Sequence, residues 1–163
     1  MARTTKNDEK DGIKIICRNK RAFHEYVVLE SLECGIALKG TEVKSLRDGH
    51  SSLEDAYAKI EDGEVWLIGS DIPEYEMGNR MNHKPKRPRK LLLHRREIAK
   101  FAGKASQHGF TLVPIRMYFK DGLAKVELAI AQGKQLHDKR EAKKKAEANR
   151  EIRRALSQRA RDK

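Results

Sequence analysis

The histidines at positions 24, 50, 83, 94, 108 and 137, the two cysteines and a scatter of acids are the side chains through which this chain could do chemistry. The histidines form no HxxxH or HExxH pair that would present two imidazoles to a metal on one helix face. Gly103-Lys104 lacks both the glycine five residues earlier and the following hydroxyl, so there is no phosphate-cradling loop. No GxSxG elbow or CxxC motif is present. Cys17 and Cys34 are a lone pair in apolar, strand-like runs, which reads as buried reduced thiols rather than a disulfide framework or a metal site. Glu54-Asp55 and Glu61-Asp62 flank turns, where a solvated carboxylate is the ordinary outcome. No convergent set for nucleophilic or acid–base catalysis emerges. The reading is a non-enzymatic protein without a cofactor, metal or small-molecule substrate. The rival to beat is an RNA-processing enzyme working through His94 or His137.

The cations carry a clearer pattern. Residues 134–163 hold 12 Lys/Arg against 5 Asp/Glu, and the whole chain holds 36 against 24 for a formal charge of +12. More than half of the excess therefore sits on a tail with almost no large apolar side chains. Residues 80–97, RMNHKPKRPRKLLLHRRE, add 8 Lys/Arg before the first acid at Glu97. Pro85 and Pro88 make this a solvated basic loop that leads into an apolar anchor at residues 91–93. Such density points to a polyanion, with nucleic acid ahead of an anionic membrane surface. No apolar stretch approaches a membrane span, and residues 1–12 carry no apolar segment behind their charges. The expected location is the cytoplasm.

The elements that must hold these charges can be read from spacing. Residues 56–61 and 64–68 flank Asp62-Gly63, and residues 116–120 and 123–130 flank Asp121-Gly122. Both read as hairpins, because Asp-Gly accepts the positive φ angles of a tight turn. Residues 26–29 and 36–38 are β-rich runs that could pair as an earlier set, and residues 13–17 can supply another strand. Thr41 reads as the N-cap of a short helix with Val43 and Leu46 inward and Gly49 past its end. Ile98, Phe101, Ala102 and Ala105 mark a second helix, ended by Gly109 and weakened by Gly103. About six strands without βαβ alternation favour a small antiparallel barrel, since closure removes exposed edges. In the tail, Ile152 and Leu156 with Ala148 and Ala155 form a thin apolar stripe. That stripe predicts a segment unfolded when free and helical once RNA screens its charge. A disordered solvating extension is the plain alternative.

The series NKRAFHEY (19–26), GTEVKSLRDG (40–49), RPRKLLLHRREI (87–98), GFTLVPIRMYFKDGLAKVE (109–127) and GKQLHDKR (133–140) resembles the SmpB family, the tmRNA-binding proteins of trans-translation. The likeness spans residues 13–145. Lys84 and Gln135 depart from it, the first adding charge to the loop and the second removing a common lysine. The resemblance implies an OB-like barrel with two or three peripheral helices over residues 13–133, a flexible segment over 1–12 and a ribosome-binding tail over 134–163. It implies that the body grips the tRNA-like domain of tmRNA, one protein per RNA. The tail would then probe the vacant mRNA channel of ribosomes stalled without a stop codon, on small-subunit rRNA at the decoding centre. Carried over by position, the tmRNA-binding residues would be Lys20, Arg21, Glu33, Lys44, Arg47, Arg89, Lys90, Leu92 and Lys125. Gly133, Lys134, His137, Asp138, Lys139 and Arg140 would lie at the decoding centre. A generic OB-fold or ribosomal protein without tmRNA specificity is the alternative. From composition alone, Leu92 would more often be core and Glu33 an ordinary strand acid.

Overall fold

The computed structural model describes residues 12–78, 80–107 and 109–159, except the side chains of 136–139, 142, 155, 156 and 159. In chain order these residues form β1 (Ile13–Arg18), α1 (Lys20–Glu25), β2 (Tyr26–Ile36), α2 (Gly40–Arg47), β3 (Tyr57–Glu61), β4 (Glu64–Ile68), β5 (Arg89–Leu92), α3 (Arg95–Ala105), β6 (Phe110–Lys120), β7 (Leu123–Gly133) and α4 (Leu136–Arg159). The protein is mainly β, with antiparallel pairing throughout its named strands and several helices.

Both Asp-Gly turns form as read. Asp62 and Gly63 have φ of 50° and 72°, and Asp121 and Gly122 have 51° and 79°, the left-handed pair that a type I′ turn demands. They join β3 to β4 and β6 to β7. The path of pairing runs β6-β3-β4-β5-β2-β7 and returns to β6, with β1 laid beside the C-terminal half of β6. Inside lie Val65, Leu67, Leu91, Met117, Val126, Leu128 and Ile130, joined by Leu46 from α2 and Phe101 from α3.

Three expectations need correction. Residues 26–29 and 36–38 are not two pairing strands; β2 is one strand of 11 residues, paired mainly with β7. Its outward face carries Ser31 and Glu33, and Glu30 stands on the opposite face, which broke the apolar signal in the sequence; exposed and less exposed positions still alternate along the strand through the pairing irregularity between Val28 and Glu30. Thr41 does not cap α2. The helix begins after Lys39, whose N–H donates to the Glu42 carboxylate at 2.7 Å, while the Thr41 hydroxyl meets His83 Nδ1 at 2.9 Å. Residues 80–97 are not simply a solvated loop either. Arg89–Leu92 is a strand between β4 and β2, and His83 and Arg89 are buried.

Asn19 fixes α1. It is 1% exposed; its Oδ1 accepts from Ala22 N–H at 2.9 Å, and its Nδ2 donates to the Leu53 and Pro114 carbonyls at 2.8 and 3.1 Å. Pro114 interrupts β6 at an irregularity, and Asn19 N–H bonds the neighbouring Ile115 carbonyl at 2.7 Å. Asn19→Ala removes a cap and strands two carbonyls, so thermal or urea unfolding should show a loss of about 2–3 kcal/mol.

Candidate RNA interface

Glu33, Leu92 and Lys125 lie far apart in the sequence, and sheet register brings them together. Gly35 is opposite Leu92 on β5 and opposite Lys125 on β7, and Glu33 precedes it on the outward face of β2. A Cβ on Gly35 would lie 3.2 Å from Leu92 Cβ, so the missing side chain lets Leu92 lie close across the strand. Leu92 is 52% exposed. It edges a groove of about 300 Å³ floored by Ile36, Leu38, Val43 and Phe119, with Leu123 and Lys125 also in its wall.

The carboxylate of Glu33 accepts from Tyr118 O–H at 2.6 Å, with Lys120 Nζ at 3.2 Å and Lys125 Nζ at 3.9 Å. The Tyr118 hydrogen bond, with help from the lysines, holds Glu33 below the usual carboxylate range despite partial burial. Burial and the same hydrogen bond push the Tyr118 phenol up, so it remains a neutral donor. The result is an ionised acceptor held in place beside an apolar ledge and two ammonium groups. Those groups fit the parts of a folded RNA: ribose hydroxyl or exocyclic amine, unstacked base, and phosphate. Tyr118 and Lys120 were not among the sequence candidates, although their alternation with Met117 and Phe119 on β6 was the signal that could have found them.

Helix α2 borders this patch through Val43. Lys44 and Arg47 are both exposed, and the Lys44 ammonium lies 5.5 Å from the centroid of the Tyr75 ring. Lys90 is half-exposed and ion-paired with Glu64. Arg89 differs from its expectation as a tmRNA-binding residue. It is 0% exposed, and its Nε donates to Glu42 at 2.9 Å. Its Nη1 donates to Ser70 O and Oγ and to Arg87 O, and its Nη2 to Pro85 O. No guanidinium nitrogen is left for RNA. Arg87 adds bonds of 2.6 and 2.5 Å to the same Glu42 carboxylate. Burial raises the Glu42 carboxyl, but Arg87, the Lys39 N–H and the Arg89 charge outweigh it and hold the group below its ordinary range.

Lys20 and Arg21 sit elsewhere. They open α1, and the next residue after that helix, Tyr26, pairs with Gly133 at the end of β7. Tyr26 and Gly35 are nine residues apart on β2, about 30 Å at the rise of an extended strand. Lys20 is exposed, and Arg21 is ion-paired with Glu25 at 2.8 Å and Asp55 at 3.0 Å. The residues expected to bind tmRNA are thus divided between two ends of the molecule.

The second end also carries the tail. Lys134 N–H donates to the Glu25 carbonyl and Lys134 Nζ to the Phe23 carbonyl, each at 2.9 Å. These are carbonyls of the last turn of α1, where a cation is electrostatically favoured. Gly133 is exposed beside this clasp. Residues Leu136–Arg159 are helical, and the described side chains of α4, Arg140 among them, are exposed. The side chains of His137, Asp138 and Lys139 lie outside the described residues, as do residues 1–11. Among the described residues no group of three His, Cys, Asp or Glu side chains is placed to hold a metal ion, and no helix is long and apolar enough to cross a membrane. Cys17 and Cys34 are free thiols; burial pushes Cys34 up to about 12 and raises Cys17 as well.

A family model described as SmpB protein matches residues 16–158, from β1 almost to the end of α4. The chain belongs to the SmpB family. It is 56% identical over 142 residues to the SsrA-binding protein of Desulforudis audaxviator strain MP104C, covering 87% of this chain and 93% of that one. The SsrA-binding protein of Thermobifida fusca strain YX is 54% identical over 159 residues, covering 98% and 99%. A solved chain from a structure described as "tmRNA-SmpB: a journey to the center of the bacterial ribosome" matches with a TM-score of 0.63 at 50% identity, covering 74% of this chain and 85% of that chain. In sequence, the SmpB match runs through nearly all of α4.

Proposed function

We propose that this chain binds the tRNA-like domain of tmRNA and delivers it, in the cytoplasm, to ribosomes stalled on messages without a stop codon. The observation that carries the reading is the convergence of Glu33, Leu92 and Lys125 on one patch, although they come from β2, β5 and β7. The closed pairing path supports taking residues 13–133 as an OB-like barrel that offers this patch as a rigid platform, one copy per RNA. Lys44 and Arg47 extend the platform along α2. Lys20 and Arg21, at the other end of β2, would give the same RNA a second set of contacts, and residues 134–163 form the ribosome-directed tail. There Arg140 and its neighbours His137, Asp138 and Lys139 would meet small-subunit rRNA as the tail enters the vacant mRNA channel. The tail is helix-prone and strongly cationic, so phosphate screening would favour its helix over a disordered chain.

The test is binding of the full chain to the tRNA-like domain against an unrelated folded RNA at near-physiological salt. Preference for the first is expected; equal affinity would leave a general RNA binder. Lys125→Gln should weaken binding and lower the salt slope by about one, the signature of a lost phosphate contact. Leu92→Ala should weaken binding with the slope unchanged, because it removes an apolar ledge and no charge.

A further inference from the structure

Met77 and Met81 are 87% and 91% exposed, the highest values among the exposed large hydrophobic residues described. The SmpB match assigns them nothing, and they contribute nothing to the core. Yet the described residues around them are firmly held. Gly78 N–H and Asn82 Nδ2 both donate to the Tyr75 carbonyl at 2.8 Å, and Asn82 Oδ1 accepts from Tyr75 N–H at 3.3 Å. A Cβ at Gly78 would lie 2.8 Å from the Tyr75 carbonyl oxygen, so this turn admits no side chain without a backbone shift. On either side the loop is fastened to α2. Ser45 Oγ donates to the Pro73 carbonyl at 2.7 Å, Lys44 covers the Tyr75 ring, and buried His83 meets Thr41. A braced loop that points two unbranched thioether side chains into solvent is built to touch something.

Its surroundings say what. Arg80, Lys84 and Lys86 on the loop and Lys44 and Arg47 on α2 are exposed, against the exposed acids Asp48, Glu74 and Glu76, which line a groove with Met77. Helix α2 lies between this loop and the groove beside Leu92: Val43 lines the groove, while Lys44 and Ser45 hold the loop. One ligand that covers the groove and crosses α2 arrives at the methionines. We propose that Met77 and Met81 are a second contact for the same folded RNA. The two thioethers pack on the face of an unstacked base or on the open end of a base stack, and Arg80, Lys84 and Lys86 hold the flanking phosphates. Soft, polarizable side chains suit an aromatic face, and a cationic rim suits the backbone around it. This rests on the tmRNA reading above and extends its footprint across α2.

Peroxide oxidation read by mass spectrometry on the full chain tests it, with and without the tRNA-like domain. Met77 and Met81 should oxidise readily in the free protein and several-fold more slowly in the complex. Met117, 0% exposed, should resist in both and report an intact fold. Met77→Gln with Met81→Gln should leave thermal stability unchanged and weaken RNA binding about tenfold without changing the salt slope, the size of one lost base-stacking contact. Equal oxidation in free and bound protein, with RNA bound normally, overturns the inference and leaves the tmRNA reading standing. Loss of tagging with RNA affinity intact also overturns it, assigning the loop to a protein on the ribosome. A chain that shows no preference for the tRNA-like domain overturns both.

Discussion

Deletion of residues 134–163 is expected to abolish tagging of stalled nascent chains while binding to the tRNA-like domain falls only a few-fold. The expectation follows from where the charge is and where the patch is. The segment removes 12 Lys/Arg and 5 Asp/Glu, but its helix meets the body at α1, at the far end of β2 from Glu33, Leu92 and Lys125. What the body loses is long-range attraction, which 0.15 M salt already screens beyond about 8 Å. What the ribosome step loses is its whole cationic probe. Gel-shift or fluorescence affinity and a tagging assay on a message without a stop codon measure the two separately. If the truncated protein loses RNA binding outright, body and tail do not divide the work in this way.

Glu42→Gln is expected to be the most damaging single substitution to the fold described here. Glu42 and Arg89 are both fully buried, and Arg87 joins them. Removing the one carboxylate leaves a buried guanidinium uncompensated, which costs about 3–5 kcal/mol. For a domain of this size, that lowers the melting temperature by roughly 10 °C. Glu42→Leu combined with Arg89→Met should recover part of the loss, because it removes both charges from the interior. The same cluster sets acid behaviour. The folded-state carboxyl of Glu42 is depressed, so its contribution is fully present above the unfolded value near 4.3 and disappears as pH falls through the folded one. Glu42→Gln should therefore flatten stability against pH in the acid range. An unchanged melting temperature would show that α2 and the loop over residues 69–88 are held by something else. Because α2 also borders the Leu92 groove and anchors the methionine loop, RNA affinity should fall with it.

How much of this could be read in the chain depended on whether a signal was local. The Asp-Gly hairpins were legible because one dipeptide fixes both turn geometry and register. The α3 face was legible because Ile98, Phe101 and Ala105 repeat within a few turns. β2 was not, since Glu30, Ser31 and Glu33 interrupt its apolar run. Arg89 was misread as an RNA contact because nothing near it in sequence announces its acid: Glu42 lies 47 residues away and the two meet only when β5 and α2 close over it. Arg89 and Lys90 are consecutive and equally basic, yet one is sealed inside and the other half-exposed, a distinction set by the two-residue period of β5. The distance between Lys20 and Arg21 and the Glu33 patch was hidden for a related reason. Sequence order does not report how far an eleven-residue strand carries the chain.

The Lys134 clasp has a consequence for how this protein can change over time. The amide and the ammonium of one residue tie the root of α4 to the Phe23 and Glu25 carbonyls, and Asn19 ties the other end of that short helix to β6. Side chains along the outer helix are therefore free to drift so long as they stay cationic, and those around Gly35 can adjust to another transcript. The rivets between the two halves have no such latitude, because altering them would swing a 24-residue lever, about 36 Å long, away from its heading.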